Sequence, residues 1–223
     1  MVGLIDDEKH VTTQWFKDEG DVIILVGLEP ARLRAETDRD EGVATPNLGG
    51  SQYLKVCYGL KIGPPPYVDL EHEIKVQNAV RDLIRQGLVK SAHDCSEGGL
   101  AVALAESCFN PEKLFGAEID CSGGPVGRRK ETSHSDAATV LFNEFQSRII
   151  ISVAPENLDD VISVLRERDV LFRQLGKVCG DELCIRVNNE RFAWPIAELH
   201  DEWWNSIRRL VESDASAERI PSL

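Results

Sequence analysis

Two runs of β-branched residues constrain the fold of this chain more than any other feature. Residues 21–28, "DVIILVGL", are almost continuously apolar, and residues 146–153, "QSRIIISV", contain an unbroken run of three Ile followed closely by Val. Branched side chains fit the surface of a pleated sheet, so both runs predict buried strands. Further strands are predicted at "LVKSAHD", "GAEIDC", "VLFRQLGKV", "ELCIRV" and "RFAW".

Helical patterns alternate with these strands. From residue 71 the apolar positions follow a helical spacing that Gly87 ends as a left-handed cap, and a second helix is predicted over residues 100–108. Residues 155–169 have a proline at the start, acids in the first turn and arginines in the last. The apolar faces of the first and last helices are Ile74, Val76, Val80, Leu83 and Ile84, and Ile196, Leu199, Trp203, Ile207 and Leu210.

The order of these elements predicts the fold class. Asn188-Asn189 joins two strand patterns and tolerates the positive φ of a tight hairpin. Strands joined by antiparallel hairpins and mixed with helices predict an α+β fold rather than a doubly wound one. The polar segments 29–47 and 123–136 lack periodicity and are predicted to be loops.

Composition excludes several classes of partner. The 223 residues carry a net charge of −13, which argues against nucleic acid, because phosphate backbones are bound by basic faces. No apolar run is long enough to span a bilayer, and the first ten residues do not resemble a signal peptide, so a cytoplasmic location without membrane contact is expected. The six cysteines contain no C-x-x-C pair, which favours free thiols and no structural metal.

The stretch "SAHDCSEGGLAVALAESCF", residues 91–109, contains the candidate site. A strand, a Ser/Gly loop and a helix start in sequence are typical of a phosphate site, and Asp94 offers an oxygen ligand for Mg²⁺. The alternative is structural, with Ser96 as the N-cap of the helix and the glycines forming a tight turn. Activation of Ser96 by His93 is disfavoured, because Asp94 takes the place of the small residue that a nucleophile elbow requires.

Several blocks together indicate a family. "HDCSEGGLAVALAESCF", "LGGSQYLK", "PPYVDLEHEIKVQ", "LFNEFQSRIIISV" and "VGLIDDEKHVTTQWFKDEGDVIILVG" resemble the C-terminal portion of the synthetase subunit of phosphoribosylformylglycinamidine synthase. They occur in the order of that family and cover most of residues 1–200. The resemblance implies the C-terminal domain type of aminoimidazole ribonucleotide synthase, a three-layer α/β/α domain with a mixed, partly ferredoxin-like sheet. Residues 1–27 would then be the tail of a preceding nucleotide-handling domain, and residues 28–223 this domain.

The resemblance also implies a function. The family uses ATP to convert formylglycinamide ribonucleotide to the amidine with ammonia from a glutaminase, as a carbon–nitrogen ligase of purine biosynthesis. Its catalytic histidine and its main ATP-binding residues lie in other domains, so this chain is expected to be incomplete as a catalyst. By the family motif, Asp94 would be a metal ligand of Mg·ATP or Mg·ADP, with Ser96, Gly98 and Gly99 as nucleotide-binding residues.

The resemblance implies partners as well. They are the remaining synthetase domains and, in the full complex, the glutaminase subunit. A domain separated from its neighbour also exposes an apolar face, which predicts either a complex with the missing domains or a homodimer. The alternative is a stand-alone binding or docking module that reuses the domain. Two departures from the family are the polar insertion at residues 29–46 and Asn143, which stands where glycine is common. Arg148 is expected either to contact a phosphate or carboxylate or to form a structural salt bridge.

Overall fold

A computed structural model describes residues 4–27, 48–63, 66, 68–122 and 137–217. Within these residues it contains seven strands and six α-helices. The strands are β1 (Val22–Gly27), β2 (Ser91–Asp94), β3 (Ala117–Asp120), β4 (Arg148–Val153), β5 (Phe172–Val178), β6 (Glu182–Val187) and β7 (Glu190–Pro195). The helices are α1 (Gln52–Tyr58), α2 (Leu70–Arg85), α3 (Gly99–Cys108), α4 (Ala137–Phe142), α5 (Leu158–Glu167) and α6 (Ile196–Ala217).

The strands form one mixed sheet in the order β2-β4-β1-β5-β3-β6-β7. β1 lies between β4 and β5 and is antiparallel to both. β2 extends the sheet beyond β4, and β6 pairs in parallel with β3 and antiparallel with β7. Of the six pairs of neighbouring strands, five are antiparallel and one is parallel, so the sheet is mostly antiparallel.

A hydrophobic cluster covers each face of the sheet, and β1 contributes to both. Ile23 and Leu25 belong to one cluster, which includes Leu104 of α3, Leu141 of α4 and Ile196 of α6. The other cluster contains Val22, Ile24, Val26, Val76, Leu83, Val161 and Leu165. Since α2 and α5 supply the last four of these, helices cover both faces. The predicted three-layer α+β fold is confirmed.

Most predicted elements lie where the sequence pattern indicates. Gly87, which follows α2, has the left-handed φ of 69° expected of a cap, and Asn188 has a φ of 53° in the β6–β7 hairpin. Helix α4 was not predicted, because it is one and a half turns long and follows a polar segment. The predicted loops at residues 29–47 and 123–136 lie outside the described residues.

Two predicted apolar faces are only partly buried. Ile74 of α2 is 59% exposed, whereas the predicted positions Val76, Val80 and Leu83 are buried together with Ala79. In α6, Ile196 is buried, but Trp203 is 45% and Ile207 is 75% exposed. The helix runs past the edge of the cluster that its first turn enters, so the later positions of its apolar face are uncovered in this chain.

The first 27 residues contribute to the sheet. Sequence reasoning assigned residues 1–27 to a preceding domain, but Val22–Gly27 pairs with a strand on each side and therefore belongs to this fold. Phe16 is fully buried, and its backbone N–H donates to Ser107 O of α3 at 2.8 Å. Thr13 forms a parallel bridge with Ser91 of β2, so only the assignment of the residues before Thr13 stays a prediction.

Within the described part of the chain, no helix combines the length and apolar character that a membrane crossing requires.

Substitution of Gly176 in β5 tests how closely β5 and β3 approach each other. A Cβ at Gly176 would lie 1.8 Å from the backbone oxygen of Glu118 in β3. We expect Gly176→Ala to lower the free energy of unfolding by about 2 kcal/mol or more, because overpacking forces the strands apart. Gly180→Ala is the control, since its Cβ meets open space and only its left-handed φ of 67° is unfavourable. Equal losses for the two variants in urea unfolding would contradict this account.

Candidate functional site

The loop of residues 94–99, which joins β2 to α3, carries the four predicted site residues. Asp94 is the last residue of β2, where it pairs with Ile149 of β4. Its side chain is 72% exposed, with Oδ1 3.7 Å from His93 Nδ1. Ser96 is also exposed. The structure therefore presents the Asp94 carboxylate and the Ser96 hydroxyl on one solvent-facing loop, while their roles stay predictions.

The oxygen groups of the 94–99 loop fit a metal ion that is held mainly by a bound phosphate compound. Among the described residues there is no group of three or more His, Cys, Asp or Glu side chains placed to hold a metal ion. Asp94 and Glu97 are the two exposed carboxylates of this loop, and Asp94 is the one that the sequence motif predicts as a metal ligand. Mg²⁺ usually binds through one or two carboxylates, with water and substrate phosphates completing its coordination. Asp94 thus fits one ligand position of a phosphate-bound Mg²⁺, and the chain offers no complete cage in its described part.

The structural alternative for Ser96 is wrong in its details. Helix α3 begins after Gly98, which is its N-cap, and no side chain caps this end. Ser96 contributes its backbone oxygen instead, which accepts from Gly99 N at 3.0 Å. The exposed hydroxyl is therefore not used to cap the helix, because the turn is closed by backbone groups.

The two glycines are required by the packing of the loop. Gly98 and Gly99 have φ values of 78° and 65°, in the left-handed region. A Cβ on Gly99 would lie 2.3 Å from the backbone oxygen of Asn143. The predicted close backbone approach therefore exists within the chain itself, between Gly99 and the segment that follows α4. A nucleotide-binding role for the two glycines stays a prediction.

Glu144 is the unpredicted residue of this site. Its Oε1 accepts a hydrogen bond from Gly98 N at 2.9 Å and another from Gln52 N at 2.8 Å. One carboxylate oxygen thus joins the start of α3 to the start of α1. An acid 46 residues away from Gly98 carries no local sequence signal for this contact.

Arg148 holds the segment that contains Glu144. The side chain of Arg148 is buried, and its Nη2 donates to the backbone oxygen of Asn143 at 2.6 Å. Its Nε donates to Phe145 O at 3.4 Å. Asn143 Nδ2 in turn donates to Thr139 O at 2.6 Å at the end of α4. Residues 143–148, termed the 143–148 turn, are thereby fixed by hydrogen bonds to backbone oxygens. In these contacts the Arg148 side chain stabilises the turn.

A hydrogen-bonded chain connects β2, next to the loop, to α6. His93 Nε2 lies 2.9 Å from Glu106 Oε2 of α3, and Trp203 Nε1 donates to Glu106 Oε1 at 3.2 Å. The hydrogen bond with His93 holds the pKa of Glu106 below its usual value, against the opposing effect of burial. Trp203 also contacts the Phe109 ring at a centroid distance of 5.4 Å. His93 is thus engaged by Glu106 and is not positioned as a base for Ser96.

The cysteines near the loop are structural. Burial raises the pKa of the Cys95 thiol to about 11 and also raises the pKa of Cys108. Both thiols stay protonated at neutral pH and pack as small apolar groups. Neither supplies a nucleophile to the site.

A mixed sheet with helices on both faces and a solvent-facing loop after its edge strand β2 defines a three-layer α+β domain. The chain belongs to the family described as AIR synthase related protein, C-terminal domain, whose model matches residues 18–187. This family assignment agrees with the resemblance found in the sequence, and its matched region includes β1.

Curated relatives match nearly the whole chain. This chain is 39% identical over 213 residues to phosphoribosylformylglycinamidine synthase subunit PurL of Caldanaerobacter subterraneus subsp. tengcongensis. The alignment covers 95% of this chain and 25% of that protein. Subunit PurL of Moorella thermoacetica is 39% identical over 212 residues, with the same coverage. The chain therefore spans about a quarter of the length of the curated relatives it matches.

Solved structures support the fold. PurL of Thermotoga maritima complexed with FGAR superposes with a TM-score of 0.61 at 17% identity, over 86% of this chain and 30% of that chain. The same protein complexed with ATP gives a TM-score of 0.60 at 16% identity, over 85% of this chain and 27% of that chain. These likenesses confirm the architecture predicted from the sequence.

Glu106 gives a pH-dependent prediction. Because its pKa is lowered in the folded state, the ionised carboxylate stabilises the fold above its unfolded pKa, and this contribution is lost as pH falls through the folded value. At pH 7 we expect Glu106→Gln to lower the free energy of unfolding by about 1–2 kcal/mol, as for a lost hydrogen bond to a charged group.

The difference between wild type and Glu106→Gln should shrink toward about pH 3, below the usual glutamate pKa. Urea unfolding at several pH values measures it. Glu112→Gln is the matched control at an exposed position, and its effect should be small at every pH. A difference between wild type and Glu106→Gln that stays constant with pH would contradict the role given to the ionised carboxylate.

Proposed function

We propose that this chain acts as the AIR synthase-type C-terminal domain of a phosphoribosylformylglycinamidine synthase. The observation that carries the proposal is the similarity to subunit PurL over 95% of the chain at 39% identity. Since the chain spans only about a quarter of such relatives, the proposed activity belongs to an assembly with the remaining synthetase domains. Ammonia would come from a glutaminase partner in that assembly.

The 94–99 loop supplies the proposed contribution of this domain to the reaction. The assembly would convert formylglycinamide ribonucleotide, ATP and ammonia to the amidine, ADP and phosphate. Asp94 would bind the nucleotide-associated Mg²⁺, which supplies charge neutralisation to the phosphates. Ser96 would donate its hydroxyl hydrogen to a phosphate oxygen. Both groups are exposed on the loop and so can meet a nucleotide held by a neighbouring domain.

The uncovered face of α6 supports an assembly. Trp204, Ile207 and Val211 are 69%, 75% and 63% exposed, and they follow one another along the outer side of this helix. Clustered exposed apolar groups mark interaction surfaces more often than isolated ones do. A domain that covers this face would complete the burial that Ile196 begins at the start of the helix.

We expect purified chain alone to form no amidine from ATP, ammonia and formylglycinamide ribonucleotide, because one loop supplies too few contacts to bind and orient the substrates. Adding the remaining synthetase domains should produce turnover, measured as ADP and amidine release against a no-protein control. Turnover by the chain alone would contradict the proposal that activity requires the remaining synthetase domains. Binding to those domains without any turnover would favour the docking-module alternative.

Asp94→Asn tests the metal-side role. In the assembled enzyme we expect weaker Mg·ADP retention, by about tenfold or more, since the neutral amide is a poor Mg²⁺ ligand. The melting temperature of the isolated domain should hardly change, because the Asp94 side chain is 72% exposed. Asp181→Asn, at another exposed aspartate, is the control. Unfolding of the Asp94→Asn domain with unchanged nucleotide retention in the assembly would make this loop a structural turn.

A further inference from the structure

Two backbone amides from distant parts of the chain converge on one oxygen atom. Gln52 is the first residue of α1, and Gly98 is the N-cap of α3. Their N–H groups both donate to Glu144 Oε1, at 2.8 and 2.9 Å. Backbone amides that converge on a point beside a helix start form a setting that favours an anion, and here the anion is a side chain of the protein itself.

Neighbouring contacts hold Glu144 in this position. Arg148 fixes the backbone on the N-terminal side of Glu144 through the Asn143 carbonyl. Phe142, at the end of α4, stacks on Tyr53 of α1 with ring centroids 4.8 Å apart. Glu144 therefore follows closely after a helix, α4, that packs against α1, and the Glu144 carboxylate binds the first amide of α1.

Occupation by Glu144 has a consequence for any ligand of the loop. The Gly98 N–H is already used by Glu144, and the Gly99 N–H donates to Ser96 O. A phosphate that reached the loop would find neither of these two amides free. Hydrogen bonds from amides to a carboxylate are also stronger than those between neutral groups. An incoming anion that displaced Glu144 would therefore cost the protein two strong hydrogen bonds.

We propose that Glu144 is a positioning residue, which fills the anion position at the start of α3 and ties the 94–99 loop to the first turn of α1. The ligand-facing groups of the loop are then the side chains of Asp94 and Ser96, and the Gly98 amide is internal. This last assignment rests on the function proposed above, whereas the tie between the loop and α1 does not.

Amide hydrogen exchange of the isolated chain tests the tie, with Glu144→Ala, Glu144→Gln and the exposed control Glu156→Gln. In Glu144→Ala, the Gly98 and Gln52 amides should exchange about tenfold faster or more, as expected for the loss of a charge-assisted hydrogen bond. Glu144→Gln keeps an acceptor oxygen and should restore most of the protection. Glu156→Gln should exchange as wild type does.

Rescue by an added anion distinguishes an anion position from ordinary packing. Sodium acetate should slow Gly98 exchange in Glu144→Ala but not in wild type, with sodium chloride at equal ionic strength as the reference. Unchanged Gly98 exchange in Glu144→Ala, or rescue by chloride equal to that by acetate, would overturn the proposal. Inorganic phosphate should likewise shift the Gly98 amide resonance only in Glu144→Ala, and a shift in wild type would show that Glu144 leaves the amide available.

A second variant covers the case in which Glu144→Ala does not fold. Gln52→Pro removes one of the two N–H donors and leaves Glu144 intact, and proline is well tolerated at the first position of a helix. Ser51 before it has φ −70° and ψ 155°, which suits a residue that precedes proline. Gly98 exchange should rise in this variant, because Glu144 loses half of its anchorage. Unchanged exchange would count against the tie.

The assembled enzyme separates this proposal from the proposed function. There, Glu144→Ala should weaken Mg·ADP retention and Glu144→Gln should restore it, as expected of a group that positions Asp94 through the loop. Wild-type retention in Glu144→Ala would overturn the positioning role. An assembly that lacks amidine-forming activity altogether would refute the proposed function, while the exchange results for Gly98 and Gln52 would still decide the tie.

Discussion

Burial of β1 on both faces is the constraint on which the rest of this structure depends. Successive residues of one central strand enter two different clusters, with Ile23 on one side and Ile24 on the other, and both are fully buried. Each cluster needs its own helical cover, so the three layers follow from this alternation. The pairing of β4 with β1 then sets where the 143–148 turn leaves the sheet, and with it the position of Glu144.

The site depends on this frame through contacts that cross the sheet edge. The 94–99 loop follows β2, which pairs with β4, and Gly99 lies against the segment that precedes β4. Glu144 Oε1 accepts a hydrogen bond from Gly98 N, and the backbone oxygen of Arg148 accepts one from Cys95 N, so these bonds hold the two segments together. The register of β2 and β4 therefore places Asp94 at an exposed position, and its carboxylate supplies the oxygen atoms that a metal ion could bind.

Sequence patterns predicted the strands and the fold class because branched apolar runs and helical spacing are local signals. They also identified the 94–99 loop, whose glycines and acids stand next to one another. Glu144 was missed because its contact joins segments far apart in the chain, and no local pattern encodes it. The exposure of Trp203 and Ile207 could not be predicted, because periodicity identifies an apolar face but not the surface that covers it.

The order of the strands also bears on how the chain is made. β1 is complete at residue 27, yet its partners are β4, which begins at Arg148, and β5, which ends at Val178. On the ribosome, the most apolar strand of the protein must therefore wait until most of the remaining sequence has been synthesised. Pairings of such sequence separation form slowly, and an exposed strand edge in the meantime invites association with other nascent chains. Expression of this domain is thus expected to depend on chaperones that shield Val22–Gly27 until β4 and β5 emerge.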